Sequence, residues 1–144
     1  MTKILFVCLG NICRSPLAEA IFNHKVAELG LSSRFRAESA GTSNYHIGEP
    51  PDDRTILNAL KNGITMNHAG RQLKAKDLDE YDYVFAMDNN NHNAILRLAK
   101  GTETTATIAL IRDYDEVEKR GEVPDPYFGG EEGFQEVFEM LDRS

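Results

Sequence analysis

The stretch K-I-L-F-V-C-L-G-N-I-C-R-S-P, residues 3–16, sets the architecture. Residues 3–7 are aliphatic, β-branched and aromatic after the leading lysine, the pattern of a buried strand. Ser15-Pro16 then offers an N-cap followed by proline at the first helical position, where a missing N–H goes unmissed. Leu17, Ala18, Ile21, Phe22, Val26 and Leu29 recur at helical spacing as far as Gly30, a fitting residue just past a helix end. Glu19 falls one place too late to complete a capping box.

On the C-terminal side of this stretch, strands and helices alternate. Residues 35–40 read as a second strand, and 41–53, with Gly48, Pro50 and Pro51, as a long loop. A helix carrying Ile56, Leu57 and Leu60 ends at Gly63. Residues 81–87 form a third strand, and Asp88 is a good cap for a helix through Ile95 and Leu98 to Gly101. Residues 105–111 read as a fourth strand. A loop with Pro124 and Pro126 precedes a last helix on Phe134, Val137, Phe138 and Leu141, spaced i, i+3, i+4, i+7. The alternation predicts an α/β fold, a parallel sheet covered on both faces. Ligands of such sheets bind beyond the carboxyl ends of the strands, and the first such end is Cys8.

Bulk properties narrow the function classes. The 144 residues fit one domain, 1–144, and 41% hydrophobic with 27% charged residues is the composition of a folded globular protein. No apolar run is long enough to span a bilayer and no signal peptide precedes the first strand, so a cytoplasmic protein without membrane attachment is expected. A net charge of −7 argues against nucleic acid. Residues 113–144 carry 11 acidic and 3 basic groups, so an anion site belongs to the near-neutral remainder. Cys8 and Cys13 are the only cysteines, too few for zinc with four scattered histidines, and they suggest reactive chemistry.

Cys8-Leu9-Gly10-Asn11-Ile12-Cys13-Arg14-Ser15 has the makings of an anion site. Gly10 and Asn11 enter positive φ readily and let the loop curl its amides inward. The following helix adds unpaired N–H groups and the positive end of its dipole. Arg14 can grip two phosphate oxygens with one planar fork. Cys8 lies at the base, where such surroundings lower a thiol from its usual pKa of about 8.5 to roughly 3.5–7.5. Ser15 can donate its hydroxyl to that thiolate.

V-C-L-G-N-I-C-R-S-P-L-A-E (7–19) resembles the low molecular weight protein tyrosine phosphatases, and the likeness runs on through A-E-S-A-G-T (37–42), D-Y-V-F-A-M-D (82–88) and D-P-Y (125–127). The resemblance implies a three-layer α/β/α fold with a four-stranded parallel sheet. It implies Cys8 as nucleophile, Arg14 as phosphate clamp, Ser15 as thiolate stabiliser and Asp125 as general acid, with no cofactor and no metal. Alone, Asp125-Pro126 reads as a turn, though Pro124 and Pro126 do restrict Asp125 on both sides. The resemblance implies Tyr45 and Tyr127 as the aromatic cleft walls, although Tyr45 alone reads equally as an exposed loop residue, with Phe128 where some relatives carry a second tyrosine. Asn11, Ser39 and His68 match a hydrogen-bonded support beneath the loop, although His68 on its own reads as a surface or packed residue. Asp88 reads as a helix cap. For Cys13 the resemblance implies reversible disulfide shielding of Cys8, while the residue alone fits a buried thiol equally well.

The expected partner is a phosphotyrosine-bearing protein, with a tyrosine kinase as its counterpart, met by a monomer or weak homodimer. Phosphoarginine hydrolysis is the nearest alternative, but its practitioners tend to carry Thr where Ile12 stands, and Ile12 crowds a guanidinium. Arsenate reduction needs cysteines beyond residue 13. A phosphocarrier has less need of Arg14 and Asp125. A redox module prefers C-x-x-C, and a phosphotyrosine-binding module has no use for the nucleophile.

Overall fold

The computed structural model describes residues 1–100, 104–115, 122–126 and 131–144. Four strands, β1 (Thr2–Cys8), β2 (Phe35–Gly41), β3 (Tyr83–Ala86) and β4 (Thr107–Leu110), form one parallel sheet in the order β2-β1-β3-β4. The helices are α1 (Arg14–Glu28), α2 (Asp53–Lys61), α3 (Asp77–Glu80), α4 (Asn89–Ala99) and α5 (Glu131–Asp142), with a 3₁₀ turn at Ile111–Tyr114.

Alternation along β1 builds the layers. Ile4, Phe6 and Cys8 share one face with Leu17, Ala18 and Ile21 of α1 and Val137, Phe138 and Leu141 of α5. Leu5 and Val7 face the opposite way, into a core with Leu78, Tyr81, Val84 and Ile95 beside α3 and α4. The three-layer α/β/α expectation holds. Cys8 therefore points toward α1 because it is in phase with Ile4 and Phe6. With β2 on one side of β1 and β3 on the other, the chain reverses direction across the sheet at β1. That reversal leaves a crevice beyond the carboxyl ends of β1 and β3.

Several boundaries differ from the sequence reading. Helix α1 begins at Arg14 with Cys13 as its cap residue, so Ser15 is not the N-cap and Pro16 is the third helical residue. Proline is tolerated there because the first four amides of a helix have no intrahelical acceptor, and the Ser15 hydroxyl is used elsewhere. Leu29, Leu57 and Leu60 turn to solvent, while Thr55, Asn58 and Ala59 are the buried side of α2. β3 and β4 are shorter than 81–87 and 105–111, and the four-residue α3 carries too little periodicity to be read. Gly30 and Gly63 sit just past their helices at φ +71° and +83°, as expected. Asp88 caps α4 by accepting from the Asn91 amide at 2.8 Å. Gly101 lies outside the described residues.

Candidate active site

Residues 8–13 curl between β1 and α1 because their carbonyls are held on the outside. The Cys8 carbonyl accepts from the Thr42 amide (2.9 Å), Leu9 from Ser43 (3.0 Å) and Ile12 from Asp52 (2.8 Å). The amides of Gly10, Ile12 and Cys13 meet no backbone acceptor among the described residues. The turn closes at Asn11, whose φ is +58°, the left-handed region that asparagine tolerates better than most residues. Gly41 lets the end of β2 approach: a Cβ there would stand 2.7 Å from the Leu9 carbonyl oxygen and 3.1 Å from the Asn11 Cβ.

The sulfur of Cys8 receives the Asn11 amide at 3.2 Å and lies 2.9 Å from Ser15 Oγ. Proton bookkeeping fixes the direction of the second contact. Asn11 Oδ1 accepts from the Arg71 amide (2.9 Å) and lies 2.8 Å from His68 Nε2, so its Nδ2 is the donor, to Ser15 Oγ (2.8 Å) and Ser39 Oγ (3.0 Å). Ser15 Oγ, already accepting, has its own hydrogen to give, and sulfur is the nearer acceptor than the Ala40 carbonyl at 3.5 Å. Ser39 passes its hydrogen to Glu19 Oε1 at 2.8 Å, and His68 Nδ1 is 3.4 Å from the same oxygen. Asn11, Ser15 and Ser39 are fully buried.

Arg14, 3% exposed, has one terminal nitrogen committed to Asp88 Oδ2 (2.7 Å) and the Val123 carbonyl (3.0 Å). Those bonds use two of its five donors. Among the described residues the edge formed by Nε and the other terminal nitrogen makes no hydrogen bond, which leaves a fork, and that nitrogen is 3.8 Å from Asp125 Oδ2. Burial works against the charge of Arg14, but the Cys8, Asp88 and Asp125 side chains outweigh it and push its pKa up. Burial also pushes the Cys13 thiol, partly offset by Thr55, up to about 12. Cys13 is therefore a protonated thiol at neutral pH, and both cysteines are free.

A cleft of about 250 Å³ opens over this loop, lined by Cys8, Leu9, Gly10, Ile12, Cys13, Arg14, Tyr45, His46 and Asp125. The structure thus brings the sequence candidates together, with Tyr45 largely exposed at the mouth and Ser39 and His68 beneath the loop. Tyr127 and Phe128 lie outside the described residues. Sequence reading missed three partners. Asp88 was legible as a cap but not as the support of Arg14, Glu19 drew notice only for its failed capping box, and His46 was an anonymous residue of a long loop. His46 hydrogen-bonds Glu49 and packs on Gly10, where a Cβ would stand 3.1 Å from its ring. No local pattern marks these contacts, because each partner is distant in sequence or lies in irregular chain.

A family model described as low molecular weight phosphotyrosine protein phosphatase matches residues 3–144. The Saccharomyces cerevisiae low molecular weight phosphotyrosine protein phosphatase is 40% identical over 142 residues, 96% of this chain and 88% of that protein. Among solved structures, a protein tyrosine phosphatase from Entamoeba histolytica with Hepes in its active site superposes with a TM-score of 0.94 and 38% identity, covering 99% of this chain and 91% of that one. DARP, a Drosophila arginine phosphatase, superposes with a TM-score of 0.93 and 34% identity over 99% and 93%. The chain with this curled loop at the end of β1 belongs to the low molecular weight phosphotyrosine protein phosphatase family.

Proposed function

We propose that the protein hydrolyses phosphotyrosine on proteins through a cysteinyl-phosphate at Cys8. The observation that carries the reading is a buried sulfur facing the Asn11 amide and the Ser15 hydroxyl, with the open edge of Arg14 and the Asp125 carboxyl on the same cleft. Inward amides, the start of α1 and the Arg14 fork suit the equatorial oxygens of a phosphoryl group in transfer. The Cys8 thiolate attacks phosphorus; the S–P bond forms as the P–O bond breaks, and protonated Asp125 gives its proton to the departing phenolate. Water then attacks the phosphocysteine, Asp125 takes the water's proton, and the sulfur leaves as a thiolate stabilised by the Ser15 hydroxyl. No cofactor or metal enters these steps.

The substrate class follows from the walls. Tyr45 offers a ring at the mouth, and Leu9 and Ile12 are apolar. Phosphoarginine is the second reading because of the likeness to DARP, but a guanidinium set against Ile12 loses hydration without gaining an acceptor. The deciding experiment compares kcat/KM on phosphotyrosine and phosphoarginine peptides, and reduction of arsenate, with EDTA present. A preference for phosphotyrosine that disappears in Cys8→Ser, while phosphate still binds that variant, supports the proposal. A phosphoarginine preference, or full activity of Cys8→Ser, sinks it. A cytoplasmic setting, a kinase that generates the substrate, and action as a monomer or weak homodimer belong to the same proposal; no helix among the described residues is long and apolar enough to cross a membrane.

A further inference from the structure

Arg112 is not among the residues that line the cleft, yet it is almost fully buried in the 3₁₀ turn after β4. A guanidinium is taken out of water at a cost that only well-placed acceptors offset. Its Nε donates to Asp115 Oδ2 at 3.1 Å, and a terminal nitrogen donates to the Glu122 carbonyl at 2.8 Å. Asp115, itself completely buried, also accepts from Arg143 Nε at 2.9 and 3.0 Å, which ties it to the chain just past α5. One end of the Arg112 fork is thus set by a fixed carboxylate, and the other ends on main chain three residues before Asp125.

From Glu122 to Asp125 the chain has little freedom. The Val123 amide donates to the Met87 carbonyl (2.7 Å), the Val123 carbonyl accepts from Arg14 (3.0 Å), and Asn89 Nδ2 donates to the Glu122 carboxylate (2.8 Å). Pro124 and Pro126 stiffen the chain on either side of Asp125. Met87 and Asn89 hold this segment from the β3 side, Arg14 from the phosphate loop, and Arg112 from the β4 side. Of these only Arg14 lines the cleft; Met87 acts through its main chain, and of the side chains of Asn89 and Arg112 that of Arg112 is the buried one.

We propose that Arg112, braced by Asp115, is a positioning residue that sets the distance of the Asp125 carboxyl from the leaving-group oxygen. The inference rests on the reading of Asp125 as general acid. Lysine at 112 keeps a cation beside Asp115, but a point charge does not reproduce a fork that spans a carboxylate and a carbonyl. Proton donation contributes about 10²–10⁴ in rate, so a displaced acid forfeits part of that factor.

The test measures kcat/KM across a series of aryl phosphates from nitrophenyl to phenyl for Arg112→Lys, Arg112→Gln, Ile95→Val and Asp125→Asn, with inhibition by inorganic phosphate alongside. The expected loss for Arg112→Lys is about tenfold on phenyl phosphate, shrinking to less than about twofold on nitrophenyl phosphate, with the phosphate inhibition constant unchanged. Added to Asp125→Asn, Arg112→Lys costs nothing further, because the group it acts through is already gone. Ile95→Val, a truncation in the core on the sheet face opposite Cys8, lowers the melting temperature and leaves the leaving-group slope as it was, so lost stability and lost positioning read out separately. If Arg112→Gln does not fold, Arg112→Lys carries the test. A uniform loss across the series, an unchanged series, or a loss that multiplies with Asp125→Asn overturns the inference while leaving the acid role intact. A flat series for Asp125→Asn itself removes the acid role, and the positioning role of Arg112 with it.

Discussion

Replacing Asn11 by alanine and, separately, by glycine divides two tasks that the wild-type residue performs together. Its side chain makes four hydrogen bonds, to Ser15, Ser39, His68 and the Arg71 amide, all between 2.8 and 3.0 Å. Its backbone meanwhile sits at φ +58°. At about 0.5–1.5 kcal/mol net for each bond, the network is worth about 2–6 kcal/mol. Both variants lose it. Alanine also carries the left-handed penalty of roughly 1–2 kcal/mol, from which glycine is exempt. The expected result is a destabilisation of about 3–5 kcal/mol for Asn11→Ala and about 1 kcal/mol less for Asn11→Gly, read from urea unfolding with unchanged slopes. Activity should fall about tenfold or more in both, since Ser15 loses the donor that turns its hydroxyl toward sulfur and small misplacements of catalytic groups are costly. Equal stability of the two variants would show that the backbone conformation carries no cost. A loss below about 1 kcal/mol in both would mean that the network is not what holds the loop.

Arg14→Lys should lower kcat on aryl phosphates by about 10²–10⁴, the value of two charge-assisted hydrogen bonds at about 1.5–3 kcal/mol each, because the ammonium can satisfy Asp88 and Val123 but then has no fork to offer; a loss under tenfold would dismiss the clamp. Gly41→Ala forces a methyl against the Leu9 carbonyl at 2.7 Å, so steady-state kinetics should show a large fall in activity, and wild-type rates would mean the loop is not confined by β2. Asp52 caps α2 through the Arg54 amide at 2.9 Å; burial works against its charge, but the Arg54 contacts outweigh it and hold its pKa below the usual carboxylate value. A lowered folded-state pKa gives stability that is full above the unfolded value of about 3.9 and is lost as pH falls through the folded one. Asp52→Ala should therefore cost about 1 kcal/mol near neutrality and progressively less in acid, measured by urea unfolding at several pH values, and a cost that grows on acidification contradicts the sign.

The residues that were legible from sequence are those whose job is local. Cys8, Arg14 and Ser15 could be placed because a strand, a turn and a helix start follow one another within fourteen residues, and each residue type has a physical reason to be there. Asp88 was legible as a cap for the same reason. What escaped was the second use of such residues. The contact of the Ser15 hydroxyl with the Cys8 sulfur was legible, but its reading as the N-cap was not correct, since Cys13 takes the cap position without a side-chain bond. The outward turn of Leu57 and Leu60 escaped too, since α2 buries Thr55, Asn58 and Ala59 instead, and apolar residues alone gave the wrong face. Arg112, Asp115 and Glu19 carry no signal of their own, because their partners are set by tertiary packing.

Carbonyls turned outward explain why the loop can be both strained and stable. An isolated turn with its amides pointing to a common centre would leave its carbonyls to water and gain nothing from curling. Here Thr42, Ser43 and Asp52 supply donors from the segment between β2 and α2, and Ser43 adds its hydroxyl to the Leu9 carbonyl at 3.0 Å. The Arg71 amide reaches Asn11 while its carbonyl accepts from Gly41 at 2.8 Å, binding the loop, the end of β2 and the 70–73 segment into one unit. Donors that would otherwise repel one another are thus fixed before any anion arrives, so an incoming phosphoryl group meets an ordered site and little reorganisation remains for the transition state. The left-handed backbone of Asn11 is tolerated only because its side chain recovers the strain in the same network that orients Ser15. Geometry at sulfur and stability of the turn are therefore coupled, and variants of Asn11 should change both together.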